Sequence, residues 1–477
     1  MSHEPLSSLD LSFLRLEGRD TPMHLGAVLV FGPCDGVDGG PGAGPERLAT
    51  ELRARVVAVP RLRRRLAPAG PGYAWVEDPG FDPTVHVRHS LLPAPAGPAE
   101  LAAATGTLMA TRLRRDRPLW ELHVLGPLAD GGTAVVVKLH HALADGLRAV
   151  GLGITLFDTV RTRPDDTVER GPRTLSLVPP VADVDASTGQ LMAALGPLLA
   201  PTRLLPGPRT LAAGLMSRAG HARDTAGIAA AVLRTTLRDP APPSPLNTAA
   251  GPGRRFAMLR ADLDDVHRVR KHHGGTVNDV ALAVVAGGLR QWLGSRGHLP
   301  TAPLRVLVPV SRPHPDPADV AGNRLSGYLV DLPTDQPDPL TRLHTIRDAM
   351  VTRKATGHRG GAGAFPLLAD LMPTLAHRLT GPLSTALTAP LAATAASRLF
   401  NTVVTNVPLP DLGLSLAGAR LTEVYPVVPL APGQTLGVAL TTYRGTLHLG
   451  LHAGAALPDL NHLGHALTAA LTELTNA

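Results

Sequence analysis

Cysteine is nearly absent from this 477-residue chain: Cys34 stands alone, so no disulfide can form within it. That excludes the disulfide-stapled class of fold and fits a reducing compartment, with Cys34 itself read as an inert thiol. Lysine is almost as scarce. Lys138, Lys271 and Lys354 are set against a total of 46 basic residues, so arginine carries the positive charge. Alongside abundant Ala, Gly and Pro, this bias reflects a GC-rich coding sequence and weakens any inference from arginine clusters. Long apolar runs are also missing. Residues 186–202 and 379–397 hold no charged side chain, but Pro197 and Pro201 interrupt the first and Pro382 and Pro390 the second. The first is also shorter than the ~20 residues a spanning helix needs. Neither reads as a transmembrane segment; each fits a surface-seeking or tunnel-lining stretch. The opening Met1-Ser2-His3-Glu4-Pro5 has no basic patch followed by an apolar run, so no secretory signal is expected.

What remains describes a folded protein. Hydrophobic residues make up 44%, and Gly (49) and Pro (47) together about a fifth of the chain, below the ~25–30% that marks low-complexity disorder. A chain of 477 residues exceeds the ~250–300 at which one core stops growing, so two domains are expected. The formal net charge of +7 permits an anionic partner, whether membrane surface, nucleic acid or phosphorylated cofactor, without choosing among them.

Residues 1–160 alternate strand-like and helix-like patterns. Strands are expected at 25–31 and 133–139, and helices at 46–59 and 101–113. The second strand, TAVVVKL, runs directly into His140-His141, and helical spacing resumes after Gly146. The double histidine therefore sits at a strand end, before a helix. Residues 161–250 change character: Pro, Asp and Arg give way to Ala- and Leu-rich segments, a long helical crossover linker of a length that is usually functional. Residues 251–477 resume alternation, with strands at 255–261, 304–310, 328–332, 401–406, 435–442 and 447–453 and helices at 263–272 and 276–293. Strands and helices mix in both halves, so the fold class is α/β or α+β.

The stretch His140-His141-Ala142-Leu143-Ala144-Asp145-Gly146 carries the chemistry. A neutral histidine is an effective general base near pH 7, its unperturbed pKa being about 6.5. Acyl transfer from a thioester needs such a base, donors for the oxyanion and a channel that excludes water. Asp145, four residues after His141, can orient a neighbouring group or pair with a distant arginine to hold the loop, and Gly146 supplies conformational freedom at the turn. Two histidines and an aspartate are also potential zinc ligands. Adjacent histidines do not generally converge on one ion, and no metal is expected.

The motif His-x-x-x-Asp-Gly resembles that of the chloramphenicol acetyltransferase-like superfamily. Further segments narrow the likeness: PLSSLDLSFLRLEGRDTPMHLGAVLVF at the start, PLW at Pro118–Trp120, SPLN at Ser244–Asn247, TVNDVALAVVAGGLR, GNRLSGYLVDLPTD, and VVTNVP at Val403–Pro408. Together they are similar to bacterial wax ester synthase/diacylglycerol acyltransferases over almost the whole chain except roughly 161–243. The resemblance implies two chloramphenicol acetyltransferase-like domains, 1–160 and 251–477, packed around a central tunnel. Acyl-CoA is then the donor substrate, with no bound cofactor, and diacylglycerol or a long-chain alcohol the acceptor. His141 matches the general base, His140 its companion, Asp145 a mainly architectural aspartate paired with an arginine, Gly146 the turn glycine, and Asn278 and Asp279 the Asn-Asp pair near the active site. Leu409 departs from the family, which often has Gly in that place.

Several residues keep a plainer reading. Asn278 and Asp279 begin a helix, where short polar side chains cap free amides. The arginines from Arg53 to Arg65 form a solvated helix face or meet CoA phosphates and anionic lipid. His272-His273 ends a helix, where the dipole favours it. The resemblance implies a product that is triacylglycerol, wax ester or both, made in the cytoplasm at the inner membrane face or on lipid inclusions, with no nucleic-acid partner. A condensation-type enzyme with another acceptor and a non-catalytic lipid-binding relative are the alternatives. An assay with acyl-CoA and diacylglycerol or a long-chain alcohol separates the three.

Overall fold

The computed structural model of the chain describes residues 4–33, 44–69, 72–160, 239–311, 325–357, 365–366, 397–457 and 459–477. Cys34, nearly all of the expected crossover linker, and both uncharged stretches apart from Ser397 lie outside these residues. The first half runs β1 (Glu4–Pro5), α1 (Ser8–Leu16), β2 (His24–Phe31), α2 (Pro45–Val57), β3 (Arg64–Ala69), β4 (Gly72–Glu77), α3 (Pro83–His86), β5 (Val87–Ser90), α4 (Pro98–Ala110), β6 (Trp120–Leu125), β7 (Thr133–His140), α5 (Gly146–Ile154) and β8 (Asp158–Val160). The second runs β9 (Arg254–Asp262), α6 (Leu263–His273), α7 (Val277–Gly294), β10 (Leu304–Ser311), β11 (Leu325–Leu332), α8 (Pro339–Gly357), β12 (Phe365–Pro366), β13 (Thr402–Asn406), β14 (Gly413–Leu416), β15 (Ala419–Val427), β16 (Leu436–Tyr443), β17 (Thr446–Gly454) and α9 (Leu460–Thr475).

These elements build two large mixed sheets, ordered β5-β6-β7-β2-β15-β14-β8 and β12-β11-β10-β13-β16-β17-β9, beside a small sheet β1-β4-β3. The β-branched run of β7 is paired on both sides. Antiparallel to β2 it sets His24 opposite His140, and antiparallel to β6 it sets Trp120 opposite Leu139. Two strands follow a different path from the sequence division at 160 and 250: β14 and β15 come from the second half of the chain but extend the first sheet beside β2. Their strand pattern, mostly buried in both, does not reveal which sheet they join.

The two halves meet where β15 lies against β17. A Cβ built on Gly450 would fall 2.0 Å from the Pro426 carbonyl oxygen, so only glycine allows this approach. In the second half the core forms around α7, which is apolar on every side and buried from Val280 to Leu289, as an all-round apolar helix must be. Each fully buried Val or Leu there contributes about 1.5–3 kcal/mol. Gly288 lets α9 come close, since a Cβ on it would stand 2.9 Å from the Leu467 Cα. The pair His272-His273 does end a helix, α6, in a basic last turn with Arg270 and Lys271.

Candidate active site

The strand β7 delivers His140 and His141 to a loop that its neighbours hold by main-chain bonds. The His140 N–H donates to the Leu119 carbonyl (3.0 Å), the His141 N–H to Met23 (2.8 Å) and the Leu143 N–H to His140 (2.8 Å). Asp145 closes the loop as the N-cap of α5, its Oδ1 accepting from the Arg148 N–H at 2.9 Å. Among the described residues no arginine side chain pairs with this carboxylate, whose bond here is the helix cap. Gly146 opens α5 without a left-handed φ. A Cβ there would meet only Val407 Cγ2, at 3.9 Å. Its expected freedom at the turn is not used, because the aspartate cap already starts the helix in ordinary backbone geometry.

The two histidine rings part company. His141 stacks on Phe13 of α1, with centroids 3.9 Å apart and planes 18° from parallel. Burial pushes its pKa down to about 4, against a hydrogen bond with its own backbone and the charge of Asp145, which favour the imidazolium. The ring is therefore neutral near pH 7, the state a proton acceptor requires. His140 turns into a buried polar cluster instead. Its Nδ1 accepts from the Ala142 N–H at 3.0 Å, which leaves the proton of the neutral ring on Nε2, 3.9 Å from Glu17 Oε1. His24 Nε2 lies equally near that oxygen, at 3.9 Å. Arg112 and Arg115 donate to the other one, Oε2, at 3.0 and 2.6 Å. Burial alone would raise the Glu17 carboxyl, but Arg112, His140 and Arg115 outweigh it and hold it below the usual carboxylate value. Burial drives His140 down to about 3, opposed by Glu17.

His141 stands on the wall of a mainly apolar cavity of about 220 Å³ between the two large sheets. The wall takes Leu25 and Leu139 from the first sheet, Val308 and Tyr328 from the second, and Gly146 and Leu147 from α5. Asn278 is on this wall too, and its neighbour is not. Asp279 belongs to a capping box, its Oδ2 accepting from the Thr276 N–H at 2.8 Å while Thr276 Oγ1 accepts from the Asp279 N–H at 3.3 Å. The two readings of the Asn-Asp pair thus divide between its members. Leu409 also lines the cavity, so the replacement of the family's glycine puts an isobutyl group into the binding space.

Other motif residues are architectural. Trp120 of PLW is buried and donates from Nε1 to the Leu62 carbonyl at 2.7 Å. Asn247 of SPLN accepts from Asn401 Nδ2 at 2.6 Å, fixing the start of β13. Of the six arginines between positions 53 and 65, five are engaged with carboxylates: Arg55 with Glu51 and Asp158, Arg61 and Arg64 with Glu4, Arg63 with Glu77 and Arg65 with Asp78. Phe13, Glu17, Arg112, Arg115 and Asn406 shape the site without having been singled out from the sequence. Phe13, Glu17 and Asn406 lie in motif segments quoted above; the two arginines carry no signal in a chain so rich in arginine.

Comparison with known proteins agrees with this architecture. The family model of the wax ester synthase/diacylglycerol acyltransferase catalytic domain matches residues 6–281, and that of the WS/DGAT C-terminal domain matches residues 321–475. A probable diacylglycerol O-acyltransferase of Mycobacterium tuberculosis is 34% identical, with 98% of each chain covered. Among solved structures, the wax ester synthase/diacylglycerol acyltransferase of Marinobacter aquaeolei VT8 is similar at a TM-score of 0.68 and 27% identity, covering 98% of both chains. The first condensation domain of the calcium-dependent antibiotic synthetase shares the fold at a TM-score of 0.58 and 16% identity, covering 100% of this chain and 96% of its own.

Proposed function

Since the chain belongs to the wax ester synthase/diacylglycerol acyltransferase family, and is an O-acyltransferase forming triacylglycerol or wax ester, we propose that His141 is its general base and acyl-CoA its donor. The observation that carries this reading is a neutral imidazole on the wall of an apolar cavity, its plane fixed by Phe13. The acceptor hydroxyl gives its proton to the ring as its oxygen bonds to the thioester carbonyl carbon. The C–S bond then breaks, and the proton passes to the departing sulfur. Asp145 favours the transient imidazolium by its charge, and the apolar wall keeps water from competing as acceptor.

His140 and Asp145 hold the loop rather than touch substrate, His140 through Ala142 and the Glu17 side, Asp145 through the α5 cap. Asn278 faces the same space and is assigned to the reacting groups or to the His141 loop; Gly146 leaves room at the wall. Acyl-CoA and a hydrophobic acceptor are the partners, met at a membrane or lipid-inclusion surface on the cytoplasmic side. Among the described residues no helix is long and apolar enough to cross a membrane, which suits peripheral attachment. A panel of acyl-CoA donors with diacylglycerol and long-chain alcohols, read by product mass, tests the assignment. Esters with release of free CoA are expected, and absence of any ester with all donors would refute it.

A further inference from the structure

Asn406 ends β13 opposite Leu440, and the chain just beyond it is pinned twice. The Val407 N–H donates to the Leu440 carbonyl at 2.8 Å, and Thr441 Oγ1 donates to the Val407 carbonyl at 2.7 Å. Asn406 is on the wall of the His141 cavity. Both its Oδ1 and its Nδ2 are buried, and neither has a hydrogen-bond partner among the described residues. A buried amide left without partners carries its full desolvation penalty, so its retention calls for an occupant that supplies them.

The wall narrows the choice of donor. The hydroxyl of Thr276 is committed to Asp279, at 2.9 Å, and that of Thr441 to the Val407 carbonyl. Asn278 also faces the cavity, but Asn406 is set apart by having both amide atoms buried and without partners, on a strand end whose backbone is pinned at Val407. The strand end also abuts the catalytic loop, since Val407 Cγ2 lies 3.9 Å from the place a Gly146 Cβ would take. In acyl transfer the group that gains charge is the acyl carbonyl oxygen, which needs a preorganised donor in a dry site.

We infer that Asn406 is a catalytic residue whose Nδ2–H donates to the acyl carbonyl oxygen as it becomes the oxyanion; this rests on the acyl-transfer reading of His141. The acceptor oxygen bonds to the acyl carbon while its proton moves to His141. On collapse the C–S bond breaks and the sulfur takes that proton. Asn406 gains and loses no atom.

The test is Asn406→Leu, similar in shape and without polar atoms, with Asn406→Ala, which also removes the donor, as a second variant should the first not fold. Turnover is measured with diacylglycerol and with a long-chain alcohol, with KM for acyl-CoA and Tm alongside. The expected result is a fall in kcat of about 10²–10³-fold with both acceptors, a nearly unchanged KM, and for Asn406→Leu a Tm equal to or above that of the parent. Turnover near the parent's would overturn the assignment. So would a loss seen with diacylglycerol alone, which puts the amide on the acceptor's ester, or a lowered Tm with kcat retained, which makes it structural. His141→Ala is run in parallel. If it keeps its turnover, the base assignment fails; if it loses turnover while the Asn406 variants do not, only the Asn406 assignment fails.

Discussion

Lowering the pH from 7 to 5 should destabilise the protein strongly through the histidines that hold the catalytic loop. Burial holds His24 and His140 at about 3 and His141 at about 4. In the unfolded chain each returns to about 6.5. At pH 5 the unfolded rings bind protons that the native rings still refuse. Their contribution to stability is complete above about pH 6.5 and is lost progressively as pH falls toward the native values. Between pH 7 and 5 each such histidine costs on the order of 2 kcal/mol, and together they cost a large part of the ~5–15 kcal/mol typical of a domain. Glu17 adds nothing in this window, since its depressed carboxyl matters only below its ordinary value near 4.5. Urea unfolding at pH 5, 6 and 7 measures the loss. Replacing His24 by Asn, which keeps a donor for the Met109 carbonyl, should make the pH slope shallower by about one proton. A stability that is flat from pH 7 to 5, or a slope unchanged in the variant, would refute the reasoning.

Further outcomes separate structure from chemistry. Asp279→Ala should cost about 0.5–2 kcal/mol through the lost cap, read by urea unfolding, with the rate of the folded enzyme retained; Asn278→Ala should lower the rate by about 10-fold or more with stability retained. Leu409→Gly should enlarge the cavity and improve kcat/KM for a bulkier acceptor relative to a slimmer one, by the ~1–3 kcal/mol that a small change of pocket volume is worth; an unchanged ratio contradicts its place on the wall. Peripheral attachment predicts release from membranes by high salt or carbonate, and release by detergent alone contradicts it.

The element pattern was legible because periodicity is local. The apolar run of 133–139 became β7 and the all-round apolar stretch after Asn278 became the buried helix α7. The position of the His141 loop, between a strand end and a helix start, was legible because one contiguous motif holds His141, Asp145 and Gly146. What periodicity could not show is pairing between distant segments. β15 carries an ordinary strand pattern, and nothing in it specifies β2 as its neighbour. Glu17 and Arg115 are 98 residues apart and meet only because α1 and the segment after α4 converge beneath β7. The family pattern marked Asn278 and Asp279 as a pair, and only the packing of α7 separates a cavity residue from a cap. Asn406 was visible only as a letter in VVTNVP; its significance lies in the absence of partners, which a sequence does not record.

The central claim is that His141 takes the acceptor's proton. The most direct measurement is single-turnover acyl transfer from acyl-CoA to diacylglycerol by His141→Ala, with folding verified by its unfolding curve at pH 7. A general base contributes about 10²–10⁴-fold, so the variant should bind acyl-CoA and lose at least that factor in the transfer step. Transfer within a few-fold of the parent rate, in a variant shown to be folded, would contradict the account.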